Sequence, residues 1–204
     1  MAQLQLFETP ERVLCDDDRG RIVYRPRLVD PALAHAWFAE LRTGVVWQAQ
    51  RRRMYDRDVD VPRLTAHFQL APASGEGPPA AILAAAACVV QATGVAFNSV
   101  GLNLYRDGRD SVAPHNDHLH VLVEGHPIAL VSLGATRRMT IRAKELPRRV
   151  LQLDLEHGSL LMMSYATQLH YTHGVPKTEA AVGERISLAF RVKPEDDGAN
   201  DPYR

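Results

Sequence analysis

Apolar residues recur at helical spacing in two stretches of the chain and at strand spacing in seven more. In "DPALAHAWFAELRTG" the repeat begins after Asp30, a side chain suited to capping, with Pro31 at the first helical position, and it stops at Gly44. That order of signals predicts a helix. "PAAILAAAACVVQATG" predicts a second, ending at Gly94. Between them "RRRMYDRDVDVPRLTAHF" shows no clear period and reads as a basic loop, closed by the connector "APASGEGPP". The first thirty residues read as an arm laid on the body. From residue 97 onward the texture changes to short β-type runs: "FNSVGLNLY", "PIALVSLG", "RRMTIRA", "VLQLDL", "SLLMMS", "QLHYTH" and "RISLAFRV". Turn residues separate them at roughly even spacing, so the expected fold is a β sandwich or barrel with flanking helices rather than a βαβ fold. The last stretch, "PEDDGANDPYR", reads as a frayed acidic tail.

Composition narrows the function classes. At 204 residues, 46% hydrophobic and 24% charged, the chain can bury one sizeable core. Lys plus Arg and Asp plus Glu both number 24, so no global positive field marks a nucleic-acid binder. Local basic patches exist. Residues 41–63 hold six arginines against three aspartates, and residues 137–149 hold six basic residues against one glutamate. The two cysteines, Cys15 and Cys88, form no CxxC, which excludes a cysteine-rich zinc site and fits a reducing compartment. No signal-like start or membrane-length apolar run is present, so a cytoplasmic protein without membrane partners is expected.

The candidate chemistry begins with "SVAPHNDHLH", residues 111–120. In an extended segment alternate side chains share a face, so His115 and Asp117 can address one ion while Asn116 points away. A third ligand must come from elsewhere, and "QLHYTHGVP" offers His170 and His173. Two imidazoles and one carboxylate form a facial triad, the donor set of non-haem Fe(II) oxygenases. Such an iron needs a reductant. In "ERISLAFRV" Arg185 and Arg191 lie six apart on one strand and so project to one face, where a guanidinium can grip a carboxylate with two bonds.

The order of these motifs resembles a known family. "GLNLYRDGRDSVAPHND", "PIALVSLGATRRM", "HGSLLMM", "THGVPK" and "RISLAFR" together look like the AlkB-type Fe(II)- and 2-oxoglutarate-dependent dioxygenases, in particular the branch that demethylates nucleic acids. The resemblance covers residues 97–192 and weakens upstream, where "VPRLTAHF" is similar to the family's substrate-recognition lid. It implies a double-stranded β-helix, a jelly roll of two sheets, buttressed by the two helices. It divides the chain into an N-terminal extension with helices and lid (1–96), the dioxygenase domain (97–195) and an acidic tail (196–204). It implies that His115, Asp117 and His173 hold Fe(II), and that Asn103, Tyr105, Arg185, Ser187 and Arg191 surround 2-oxoglutarate, with Arg185 on its distal carboxylate. It further implies O2-dependent oxidative demethylation of N-alkylated bases in DNA or RNA, releasing formaldehyde, succinate and CO2, as in repair of alkylated DNA. An alkylated base must leave its stack to react, and Trp47, Tyr55 and Phe68 are candidates to hold it, with Arg51, Arg52, Arg53 and Arg63 for phosphates.

Three positions depart from the family pattern. Leu119 stands where an acidic residue contacts the damaged base, and a leucine accepts no hydrogen bond. Ser187 and Ala189 replace an Asn and a Thr on the last strand. These changes bear on substrate more than on reaction. Two alternatives therefore stand beside demethylation of nucleic acid: the same oxygenase chemistry on a protein, a nucleotide or a small molecule, and a non-catalytic jelly-roll module that binds nucleic acid through its basic patches. No protein partner is implied.

Overall fold

The computed structural model describes residues 11–54, 57–72, 75 and 77–194. Two antiparallel sheets dominate. The larger runs, edge to edge, through β1 (Arg12–Asp17), β2 (Gly20–Arg25), β10 (Ser159–Met163), β7 (Ile128–Gly134), β12 (Arg185–Arg191), β5 (Ser99–Tyr105), β4 (Arg57–Gln69) and β3 (Gln48–Met54). The smaller runs through β6 (Val112–His115), β11 (Tyr171–Val175), β8 (Arg137–Ala143) and β9 (Val150–Leu155). This is the expected double-stranded β-helix.

The helices form where their end signals sit. In α1 (Pro31–Gly44) the Asp30 carboxylate accepts from the Ala32 and Leu33 amides, satisfying donors that a helix start leaves open. Helix α2 (Ala80–Thr93) has no cap of its own, and Glu40 of α1 accepts from the Ala81 amide instead. It ends at Gly94, whose φ of 71° is the left-handed conformation that glycine adopts at least cost. Among the described residues no helix is long and apolar enough to cross a membrane.

Alternation along the strands sorts side chains into two cores. On β12, Ile186, Leu188 and Phe190 join Trp37, Leu41, Ile82 and Val89 in the layer between the large sheet and α1 and α2. The other face of the same strand carries Arg185, Ser187, Ala189 and Arg191, and Ala189 belongs to the layer between the two sheets with Tyr105, Leu130, Ile141 and Tyr171. Both layers are closed by fully buried apolar residues, so a polar group on the inter-sheet face is costly without a partner.

The N-terminal half differs from its expected reading. Residues 12–25 are no loose arm: β2 pairs with β10 and puts Ile22, Val23 and Tyr24 in the core. The basic segment expected as a loop is the hairpin β3–β4, and β4 continues the large sheet by pairing Leu64–Gln69 with Ser99–Leu104. Leu64, Ala66 and Phe68 reach the helix side and alternate with Thr65, His67 and Gln69, a strand pattern confined to the end of a segment whose earlier residues are mostly charged. The run "QLHYTH" splits into a short helix α3 (Tyr165–His170) and β11.

Candidate metal and cosubstrate site

Strand pairing builds the site. In the small sheet β11 lies antiparallel to β6 with His173 directly opposite His115, and their ring centroids stand 4.5 Å apart. The two backbones come close here because residue 174 is glycine: a Cβ at Gly174 would lie 2.8 Å from the Val112 carbonyl oxygen. Asp117 follows β6 in an extended loop rather than in the strand itself, yet its carboxylate joins the imidazoles, and one donor atom from each of His115, Asp117 and His173 falls within 4.8 Å of the others. The alternative ligand, His170, closes α3 and lies outside this group.

Charge states suit a divalent cation. Burial is the largest influence on Asp117 and opposes ionisation, but the Arg191 guanidinium and the two imidazoles outweigh it and hold the carboxyl at about 2. Arg191 donates from Nε to Asp117 Oδ2 at 2.6 Å. Burial, reinforced by His115, pushes the His173 imidazole down to about 3, so it stays neutral as a ligand must. His115 keeps Nδ1 on the Ala113 carbonyl at 2.9 Å, which leaves Nε2 for a metal. The Asp117 amide donates to Oε1 of Gln168, which is buried on α3, at 3.0 Å. Gln168 thus fixes the ligand loop. No motif points to this residue, since nothing marks one glutamine in a short helix.

The inter-sheet face of the large sheet supplies the second half. Arg185, fully buried at the start of β12, pairs across to Tyr105 on β5 and Gly134 on β7. Its Nη2 donates to Ser132 Oγ at 2.8 Å, and its guanidinium carbon stands 5.1 Å from the Tyr105 ring centroid. Among the described residues, Nε and Nη1 of Arg185 are buried without a partner. A guanidinium held in a closed core with two free donors is expensive unless an anion completes it, and a ligand carboxylate is the group that fits. Next to it, Asn103, Ser187 and Ser132 lie in register across β5, β12 and β7 as a polar row. Asn103 Oδ1 already accepts from Arg63 Nε at 2.7 Å, so its amide NH2 is left for a ligand.

The remaining expected residues are placed as follows. Arg191 shares the face with Arg185 but is engaged by Asp117 and by the Ala189 carbonyl at 3.0 Å. Arg63 meets Asn103 rather than the outer surface. Trp47 and Phe68 pack on the helix-side core, across the sheet from the triad, and packing accounts for both rings. Leu119 is half-buried and opens a 3₁₀ turn (Leu119–Val121) two residues after Asp117. Tyr55 lies outside the described residues, as do the side chains of Arg52 and Arg53. Arg51 pairs with Asp60 at the surface. The second basic patch disperses: Arg137 is buried, Arg138 pairs with Asp154, and Lys144 donates to the Gln168 carbonyl.

The comparisons agree with this geometry. Residues 21–191 match the family model described as the 2OG-Fe(II) oxygenase superfamily. The chain is 42% identical over 110 residues to the DNA oxidative demethylase ALKBH2 of Mus musculus, covering 50% of this chain and 46% of that protein. It is 34% identical over 198 residues to the alpha-ketoglutarate-dependent dioxygenase alkB homolog 3 of Bos taurus, covering 89% of this chain and 69% of that one. The match to human ALKBH2 is 42% over 106 residues and spans 41% of its length, so the chain aligns with less than half of these ALKBH2 proteins. A triad of two imidazoles and a carboxylate, a buried arginine with open donors on the facing sheet, and a family match over most of the length converge: this chain belongs to the 2OG-Fe(II) oxygenase superfamily, among its AlkB-type members.

Proposed function

We propose that the protein is a 2-oxoglutarate-dependent dioxygenase that oxidatively demethylates N-alkylated bases in DNA or RNA, releasing formaldehyde, succinate and CO2. The observation that carries the oxygenase reading is the unpartnered pair of Arg185 donors on the same inter-sheet face as Arg191, the residue that holds the metal-ligand carboxylate. The nucleic-acid substrate is supported by the similarity to proteins named DNA oxidative demethylase. When bound, Fe(II) and 2-oxoglutarate supply the oxidising power of O2 for a substrate C–H bond. His115, Asp117 and His173 hold the metal, and Arg191 keeps Asp117 ionised and oriented. Arg185 and Ser132 fix the distal carboxylate, and the Asn103 amide donates beside them. His115 is the most exposed of the three ligands.

A panel of N-methylated single- and double-stranded oligonucleotides, assayed for formaldehyde, tests the proposal. Release from methylated strands, abolished by His173→Ala, supports it. A second reading, the same chemistry on a nucleotide, protein or small molecule, is favoured by the placement of Trp47 and Phe68 in the core and by Leu119 beside the metal loop. Succinate formation that no oligonucleotide stimulates would select it.

A further inference from the structure

Arg137 is the other buried guanidinium on this side of the molecule. It begins β8, is 2% exposed, and stands 5.7 Å from the Tyr105 ring centroid, the same ring that Arg185 approaches at 5.1 Å. Among the described residues no carboxylate lies within ion-pair distance of either guanidinium. Arg137 nevertheless donates to three carbonyls. Nη1 gives to the Asp107 carbonyl at 2.9 Å, and Nη2 gives to the Asp110 carbonyl at 2.9 Å and to the Pro176 carbonyl at 2.8 Å. Three carbonyls satisfy its hydrogens but carry no net charge, and its fork is too occupied to swing to a ligand. Two positive charges without a close ion-pair partner thus stand near one phenol ring; burial disfavours both, and the Asp110 and Asp107 carboxylates offset Arg137 only at longer range.

We propose that Arg137 is a specificity-determining residue of the cosubstrate pocket: a fixed second positive charge behind Tyr105 that makes the pocket select a dicarboxylate over a monocarboxylate keto acid. The proposal rests on the 2-oxoglutarate reading above. Arg185 supplies hydrogen bonds and one charge to the distal carboxylate; Arg137 acts on that carboxylate by charge alone. A unit charge within about a nanometre of an anion, at the effective dielectric of a buried site, changes affinity by roughly ten- to a hundredfold.

The experiment is calorimetric binding of 2-oxoglutarate and of 2-oxobutanoate, which has the same keto-acid head and no distal carboxylate, to the Mn(II)-loaded protein. The quantity read is the ratio of the two affinities. In Arg137→Gln, which keeps donors and loses charge, the ratio falls at least tenfold with 2-oxobutanoate affinity within threefold of wild type. In Arg137→Lys the ratio stays within threefold. A merely structural anchor, tying the segments before β6 and after β11, would weaken both keto acids together and leave the ratio unchanged in Arg137→Gln, and that result overturns the proposal. A ratio lost equally in Arg137→Lys overturns it too, and where Arg137→Gln does not fold, Arg137→Met, which also removes the charge, is read by the same ratio. Failure of the underlying cosubstrate reading has a separate signature: wild-type protein that binds 2-oxoglutarate no better than 2-oxobutanoate.

Discussion

Replacing Arg185 by methionine separates what the residue does for the fold from what it does for the ligand. The side chain is fully buried, donates one hydrogen bond to Ser132 Oγ at 2.8 Å, and leaves Nε and Nη1 without partners among the described residues. In the protein without cosubstrate its removal forfeits one hydrogen bond but also relieves a buried, uncompensated charge. These terms oppose each other at about 1 to 3 kcal/mol each, so the thermal midpoint of the metal-free protein should hold or rise. With cosubstrate the balance reverses. Two charge-assisted bonds to a carboxylate, at about 1.5 to 3 kcal/mol each, are lost, which weakens 2-oxoglutarate by roughly a hundredfold to ten-thousandfold. Methionine fills similar volume without donors, so packing is not the variable. Thermal unfolding of the metal-free protein and calorimetric titration of the Mn(II)-loaded protein measure the two halves. A variant that binds 2-oxoglutarate within threefold of wild type would refute the assignment of the open donors, and one that melts well below wild type would show the arginine to be a structural element of the core.

Other outcomes follow from the ligand geometry. Arg191→Met removes the 2.6 Å bond that orients Asp117 and should weaken metal binding about ten- to a hundredfold by chelator competition, with the fold retained. Gln168→Leu leaves the Asp117 amide without its acceptor; a loss of about 1 to 2 kcal/mol in unfolding free energy together with weaker metal binding is expected, and loss of stability alone would count against its role at the ligand loop. Gly174→Ala drives a methyl against the Val112 carbonyl, so β6 and β11 separate at the His115–His173 pair; metal affinity should fall at least tenfold, read by the same competition. Burial raises the Asp110 carboxyl and its bonds to Arg106 lower it further than that, leaving it below its ordinary value. A depressed carboxyl stabilises the fold above its unfolded pKa of about 3.9 and ceases to do so as pH falls through the folded value. Melting profiles should therefore show an acid limb below about pH 4 that Asp110→Asn diminishes.

Much of the chemistry was legible because it depends on residue type and spacing. Asp30, Pro31 and Gly94 mark helix ends through local hydrogen bonding and backbone freedom, and the structure uses all three as such. His115, Asp117, His173 and Arg185 carry rare combinations of donor chemistry in motif order; the fold gathers the first three and buries Arg185 on the inter-sheet face. The hairpin β3–β4 was hidden, since the alternation of Leu64, Ala66 and Phe68 with polar residues occupies only the end of a mostly charged segment, and the helix layer it packs on is not visible in the sequence. Trp47 and Phe68 illustrate the same limit. An aromatic in a basic segment looks like a base-stacking residue until the sheet shows which face it occupies.

From the sequence alone came the fold class, the ends of α1 and α2 and the three metal donors, because each is set by local pattern or by the chemistry of a side chain. Tertiary structure alone decided that Arg191 serves Asp117, that Gln168 holds the ligand loop, that Arg63 orients Asn103, and that Arg137 lies behind Tyr105. Those contacts join residues 32 to 74 positions apart, and their geometry depends on strand register and sheet facing. Register is fixed by the burial of whole faces at once, a collective property that no single motif encodes.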